Sequence, residues 1–213
     1  MRLRKKPWAE PEMRQDPKVI FTPAEFKGRW NSVFKNPNPI HLEIGCGKGQ
    51  FIAQKALLNP KINYIALDYQ NEVLIYLLRK VNELGIENIR IIRMRADFLE
   101  DAFDKNEIGK IYINFCNPWP KERHQKRRLT HTRFLKKYSL FLKKESFLEF
   151  KTDDAMLYED TLNYFEDSGF SIQYKTSDLH ASDIKGNIMT EYEKKFSSIG
   201  IKIKYACAKK ALD

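Results

Sequence analysis

Cysteine is scarce in this chain of 213 residues, and Cys46, Cys116 and Cys207 are its only three. An odd number with no CxxC spacing writes neither a disulfide framework nor a structural zinc site. No carboxylate or cysteine cluster accompanies the histidines, so no metal is expected. Long apolar runs are missing too, and none approaches the length a bilayer span needs. The N-terminal MRLRKKPWAEPEMRQDPK is basic with no apolar stretch behind it, unlike a secretory signal, and its acidic residues do not suit a transit peptide. The expected location is the cytoplasm. Internal repeats and low-complexity linkers are also absent, which leaves a single domain over residues 31–213 behind a basic, irregular N-terminal arm of residues 1–30. What remains is 42% hydrophobic and 13% aromatic residues with a mean hydropathy of −0.57, enough for a buried core under a charged surface.

Acidic charge is the other shortage. Thirty-eight Lys and Arg face 28 Asp and Glu, a formal net charge of +10, which makes a polyanionic partner plausible. The excess is uneven: residues 121–144 hold ten basic side chains and one acidic one. Such a lopsided segment is better explained by phosphate contact than by salt-bridge lacing, with His124 and His131 as polar accompaniment.

From Pro39 onward, short β-rich runs alternate with amphipathic segments. The runs cover 40–44, 64–67, 89–92, 110–115 and 147–150. Val73, Leu74, Leu77, Leu78, Val81 and Leu84 recur at helical spacing and predict a helix over 70–84, stopped by Gly85. Further helices are expected over 130–142 and 154–168. This alternation implies an α/β fold with a parallel sheet and helices on both faces. Two later β-like stretches, 170–176 and 200–206, suggest an antiparallel pair at the sheet edge.

The sharpest local signal follows the first run: Glu43-Ile44-Gly45-Cys46-Gly47-Lys48-Gly49. Gly45, Gly47 and Gly49 let the backbone turn tightly and approach a ligand. The spacing departs from the dinucleotide fingerprint. Glu43, two places before the first glycine, would repel a pyrophosphate but pair with a cation. S-adenosylmethionine carries a sulfonium and an ammonium and no phosphate, so the motif favours it over NAD or ATP. Asp68 closes the second run, where a carboxylate can accept from ribose hydroxyls. Asp97 follows the third, where it can accept from an adenine amino group. Any one of these acids alone would pass for a helix cap; three at successive strand ends point to a nucleoside-type pocket.

The fourth run ends in Asn114-Phe115-Cys116-Asn117-Pro118-Trp119-Pro120-Lys121. Two prolines around a tryptophan define a stiff loop at a strand carboxyl end, where open α/β sheets bind ligands. Trp119 is either a base-stacking face or a hydrophobic plug. Asn-Pro-Trp-Pro also compares with the Asn-Pro-Pro-aromatic loop of amino-group methyltransferases acting on adenine N6 or a glutamine amide. Pro120 and the basic run behind it fit that loop poorly. A catalytically silent RNA-binding protein is a third reading.

The stretch from Asn114 through Leu129 closely resembles the signature of the bacterial tRNA (guanine-N7)-methyltransferases. The resemblance extends to Glu43–Gly49, to Thr152-Asp153 and to Thr190-Glu191-Tyr192-Glu193. It implies a Rossmann-like class I methyltransferase with a mostly parallel seven-stranded sheet and an antiparallel C-terminal edge pair. The implied chemistry is transfer of a methyl group from S-adenosylmethionine to N7 of a guanine in the tRNA variable loop. By motif position, the resemblance assigns Glu43, Asp68, Asp97 and Asn117 to the cofactor, above Gly45, Gly47 and Gly49. Lys121, Asp153, Thr190, Glu191, Tyr192 and Glu193 face the substrate, and the basic Arg123, His124, Arg127 and Arg128 are expected to hold its phosphates. Asn117 and Asp153 are the expected catalytic pair. The family usually has Asp where this chain has Asn117, and often Glu where it has Asp68. The implied partner is tRNA, with no membrane and no obligatory protein partner, in a monomer or homodimer.

Overall fold

The computed structural model describes residues 4–211. In chain order its elements are helix α1 (Ala9–Arg14), strand β1 (Val19–Ile20), helix α2 (Trp30–Phe34), strand β2 (Ile40–Ile44), helix α3 (Gln50–Leu58), strand β3 (Asn63–Asp68) and helix α4 (Asn71–Glu83). There follow strand β4 (Ile89–Arg93), helix α5 (Leu99–Ala102), strand β5 (Ile108–Asn114), helix α6 (Thr132–Phe141), strand β6 (Leu142–Thr152) and helix α7 (Ala155–Asp167). Strand β7 (Phe170–Thr176), helix α8 (Glu191–Ser197) and strand β8 (Lys204–Lys210) complete the chain. No described helix is long and apolar enough to cross a membrane.

The strands form one sheet in the order β1-β4-β3-β2-β5-β6-β8-β7. Pairings from β1 to β6 are parallel, and β8 runs antiparallel to both β6 and β7. β2 is the pivot: the chain moves outward through β3 and β4 on one side and through β5 and β6 on the other. The crevice between β2 and β5 at their carboxyl ends is therefore where such a sheet takes a ligand. Two apolar clusters lie on opposite faces. One gathers Leu42, Ile111, Ile113, Phe134, Phe150 and Phe165, the other Phe51, Ile52, Leu74, Leu77 and Tyr112. Helix α4 buries the expected stripe from Val73 to Val81, whereas Leu84 caps the helix with its side chain exposed, and the chain turns at Gly85, whose φ is 62°. Asp154 caps α7, its Oδ1 accepting from the Leu157 amide at 2.7 Å.

The sheet has eight strands where seven were expected, and the extra one comes from the arm. Residues 1–3 of the expected arm lie outside the described residues. From Ala9 the arm is regular rather than irregular. Val19 and Ile20 pair with Ile91 and Ile92, Ala9 and Met13 are fully buried against α4, and Glu12 holds Arg79 at two points, 2.8 and 2.7 Å. Two of the arm's prolines fall where no amide is needed. Pro11 sits in the first turn of α1 and Pro23 opens a short 3-10 turn, and first-turn amides have no partner within a helix. Trp30 anchors the arm's end, buried between Phe26 and Phe103 with its Nε1 donating to the Ala102 carbonyl at 2.8 Å. The final strand also starts later than expected, at Lys204 rather than residue 200.

Gly49 packs tightly against Leu77 of α4. Its φ is 70°, and an added Cβ would lie 2.3 Å from Leu77 Cδ1. Both the left-handed backbone and the overlap penalise Gly49→Ala, which should lose roughly 2–5 kcal/mol in urea unfolding. A loss under about 0.5 kcal/mol, the range of ordinary surface substitutions, would contradict this packing.

Candidate functional site

Glu43 lies in the central strand, 2% exposed. Its Oε1 accepts from Asn114 Nδ2 on the neighbouring β5 at 2.8 Å, while its Oε2 is buried with no partner. Burial pushes its pKa up to about 8, against the pull of the Asn114 hydrogen bond and the Lys151 charge. A buried carboxylate with one unsatisfied oxygen is built to receive a cation or a donor.

The glycine loop turns directly above it. The Gly45 and Cys46 amides both donate to the Leu67 carbonyl, at 2.8 and 3.0 Å, so the loop folds over the end of β3. Gly45, Gly47 and Gly49 all have positive φ, and nothing lies within 4 Å of a Cβ placed on Gly47. Asp68, at the end of β3, is tied to this loop: its Oδ2 accepts from the Gly47 amide at 3.1 Å, and its Oδ1 from the Tyr69 and Gln70 amides. Burial raises its pKa despite those three bonds. The orphaned oxygen, the open space over Gly47 and a carboxylate at the next strand end fit a ligand with a cationic amine and a ribose. Asp97 is less open than the sequence implied. Arg95 donates to its Oδ2 at 3.1 Å and Arg133 pairs with its Oδ1, so an adenine amine would share an occupied carboxylate.

The loop after β5 is backbone-strained. Phe115 and Trp119 have φ of 51° and 43°, rare for bulky side chains. Asn117 is exposed, and its Oδ1 accepts from the Trp119 amide at 3.1 Å. Asp153, just past β6 and half-exposed, makes no carboxylate contact among the described residues. Asn114 and Lys151 are register partners, so the Asn117 loop and Asp153 issue from adjacent strand ends. Trp119 meets His124 edge-on at 5.7 Å, with the Arg127 guanidinium 5.2 Å from its ring.

The basic segment does not act as one patch. Lys121, Arg123, Lys126 and Arg127 are exposed beside the loop, on or just before a 3-10 turn. Arg133 and Lys137 pair with Asp97 and Glu100, and Lys143 lines a cavity of about 250 Å³ with Gly28, Pro37 and Asn106, beyond the opposite end of β2. Arg128, expected on tRNA phosphates, is corrected outright. Its side chain is fully buried, paired with Asp160 at 2.5 Å, and cannot touch a phosphate in this fold.

Helix α8 closes the site's third side. Tyr192 is 58% exposed and stacks near-parallel on Phe115, with centroids 6.2 Å apart. Lys48 of the glycine loop lies 3.6 Å from Glu191, an exposed pair of small energetic weight. Thr190 caps the helix in a capping box with Glu193. Glu193, read from sequence as a residue facing the base, is completely buried instead. Its Oε1 takes Asn187 Nδ2 at 2.5 Å and lies 3.0 Å from His180 Nε2; its Oε2 takes Lys151 Nζ at 3.1 Å and the Thr190 amide at 3.3 Å.

Sequence reasoning missed Asn114, Lys151 and Phe115. Asn114 was visible as a polar side chain inside an apolar strand run, Lys151 as a charge directly after one, and Phe115 only as an aromatic at a strand end. Burial raises the thiol pKa of all three cysteines, Cys116 to about 12, so none is poised as a nucleophile. Among the described residues no group of His, Cys, Asp and Glu could hold a metal ion.

Residues 37–206 match the family described as putative methyltransferase. The chain is 58% identical to a Clostridium tetani protein named tRNA (guanine-N(7)-)-methyltransferase, over 98% of this chain and 99% of that protein. A Clostridium acetobutylicum protein of the same name is 52% identical over 98% and 99%. Among solved structures, the 16S rRNA methyltransferase KamB superposes with a TM-score of 0.66 at 12% identity, covering 87% of this chain and 94% of that one. A SAM-dependent methyltransferase from Aquifex aeolicus does so with 0.58 at 16%, covering 96% and 99%. At such identities these two show the fold alone.

Glu43 gives a pH signature without any ligand. Its folded pKa of about 8 exceeds the ordinary 4.5, so the folded state keeps a proton that the unfolded state releases. Stability must fall as pH rises through that window. His41, lowered to about 4 by burial, acts oppositely but only below its ordinary 6.5. Between pH 6.5 and 8, Glu43→Gln should therefore gain stability relative to wild type by up to roughly 1 kcal/mol per pH unit in urea titrations. A constant difference across that range would show that the carboxylate is not desolvated.

Proposed function

This chain belongs to the family of tRNA (guanine-N7-)-methyltransferases, and we propose that it transfers the methyl group of S-adenosylmethionine to N7 of a guanine in the variable loop of tRNA. The observation that carries the reading is the half-satisfied Glu43 carboxylate beneath the glycine loop, one strand away from the Asn117 loop and its exposed cations. The whole-chain identity to proteins of that name supports the substrate.

When bound, the cofactor supplies an electrophilic methyl on a sulfonium. Glu43 Oε2 and the glycine loop would receive its cationic amino-acid end, and Asp68 its ribose hydroxyls. Guanine N7 already carries an in-plane lone pair, so no side chain need remove a proton from the attacking atom. The chain's contribution is alignment and charge. Asn117, fixed by the Trp119 amide, would orient the reacting groups, and the unengaged Asp153 carboxylate would face a base that becomes cationic. Tyr192, backed by Phe115, offers an exposed ring for a base to stack on. Glu193 fits a guanine edge only by exchange: the N1–H and amino donors of guanine can replace those of His180 and Asn187 at Oε1. Lys121, Arg123, His124 and Arg127 would take the phosphates. An amino-group methyltransferase is the poorer reading, because Asn117 Oδ1 already accepts from Trp119 and a basic turn follows at once.

The direct test is labelled S-adenosylmethionine with unmodified tRNA, followed by nucleoside digestion. N7-methylguanosine is expected, and N6-methyladenosine or no nucleoside product would reject the proposal. Within it, Asn117→Asp keeps an acceptor for the Trp119 amide and adds charge, so its turnover should match or exceed wild type. Asn117→Ala should lose roughly ten- to hundredfold in kcat, and an alanine variant at full rate would remove the orienting role. Charge reversal at Arg123 and Arg127 should weaken tRNA binding and flatten its log–log salt dependence by about 0.7–0.9 for each phosphate no longer neutralised. An unchanged slope would place the RNA elsewhere.

A further inference from the structure

Arg128 is fully buried, and its guanidinium reaches two elements at once. Nε donates to the Pro118 carbonyl at 2.7 Å, while Nη1 donates to Asp160 Oδ2 at 2.5 Å and lies 3.3 Å from the Tyr164 hydroxyl. Asp160 and Tyr164 are four residues apart on α7, so they share one face of a rigid helix. Pro118 is the centre of the loop whose flanking Phe115 and Trp119 occupy the left-handed region. Strain of that kind persists only where surrounding structure over-determines the backbone.

We propose that Arg128 is a positioning residue that clamps the Pro118 carbonyl to α7, holding Asn117 and Trp119 in the strained loop conformation that methyl transfer requires. The inference rests on the function proposed above for that loop. Three features argue for direction rather than bulk stability. The planar fork is the one cationic side chain able to donate along two fixed lines at once, which an ammonium on a flexible stem does not reproduce. Nη2 is left buried without a partner, a burden that an apolar side chain of similar volume would avoid. The neighbouring Arg127 is exposed and stacks over Trp119 from outside, so adjacent arginines hold the loop from within and from without.

The test compares Arg128→Lys and the milder Asp160→Asn, whose side chain is partly exposed and keeps an acceptor for the guanidinium. Arg128→Lys should lower kcat roughly ten- to hundredfold while KM for tRNA and the salt slope stay within about twofold of wild type. Asp160→Asn should move kcat the same way by less. Hydrogen exchange should quicken at the amides of Phe115, Cys116, Asn117, Trp119 and Lys121 and stay unchanged in the central strands. A raised KM with a flatter salt slope and unchanged kcat would make Arg128 a phosphate contact and overturn the proposal. So would unchanged kinetics with unchanged exchange, or a rise in exchange spread over the whole chain. Should the wild type make no N7-methylguanosine, the proposed function fails, and the loop exchange data still decide whether Arg128 holds the loop.

Discussion

One carboxylate oxygen without a partner, Glu43 Oε2 at the centre of the sheet, is the constraint around which the site is arranged. Leaving a buried acceptor unmade is costly, and the chain does nothing internal to relieve it. Asn114 takes only the other oxygen, and Lys151, whose charge pulls on Glu43, spends its ammonium on Glu193, Asn187 and the Ile188 carbonyl. The position follows from topology. β2 is the strand from which the chain departs in both directions, so its carboxyl end is the one place where loops from both halves converge. Gly47 leaves that convergence open, with nothing within 4 Å of a Cβ placed on it, while Gly49 lets the loop pack against Leu77.

Charge is sorted by depth. The cations left in solvent beside the Asn117 loop are few, and they lie on or just before one short turn. Others in the same stretch of sequence pair with Asp97, Glu100 and Asp160 and tie the loop's surroundings to α5, α6 and α7. Glu193 and Lys151 do similar work at the other wall, fixing the segment before α8 over the end of β6. Both walls of the site thus include an ion pair with a buried cation, Arg128–Asp160 on one and Lys151–Glu193 on the other, whose directionality, more than net stability, explains its presence.

The periodic parts of the fold were legible in the sequence. The α4 stripe as far as Val81, the five parallel strands and a helix over 154–168 follow from spacing and end signals alone, and the glycine motif marked the tight turn after β2. Elsewhere the deciding information was tertiary. The β-branched Ile201 and Ile203 draw the expected strand to 200–206, whereas β8 runs Lys204–Lys210 and ends on Cys207, Ala208, Lys209 and Lys210, of which Ala and Lys are poor strand formers. The arm's order depends on partners about seventy residues away in α4 and β4. Arg128 and Glu193 lie within charge runs that composition reads as surface. Only the fold shows that Asp160 and Lys151 draw them inside.

Whether a protonated, buried Glu43 awaits a cationic ligand is decided by calorimetry of S-adenosylmethionine binding near pH 7 in buffers of differing ionisation enthalpy. With a free-protein pKa of about 8, Glu43 should ionise as the cation arrives and release most of one proton, a release that Glu43→Gln abolishes. Equal proton release by both proteins, with equal affinity, would show that Glu43 does not meet the cation.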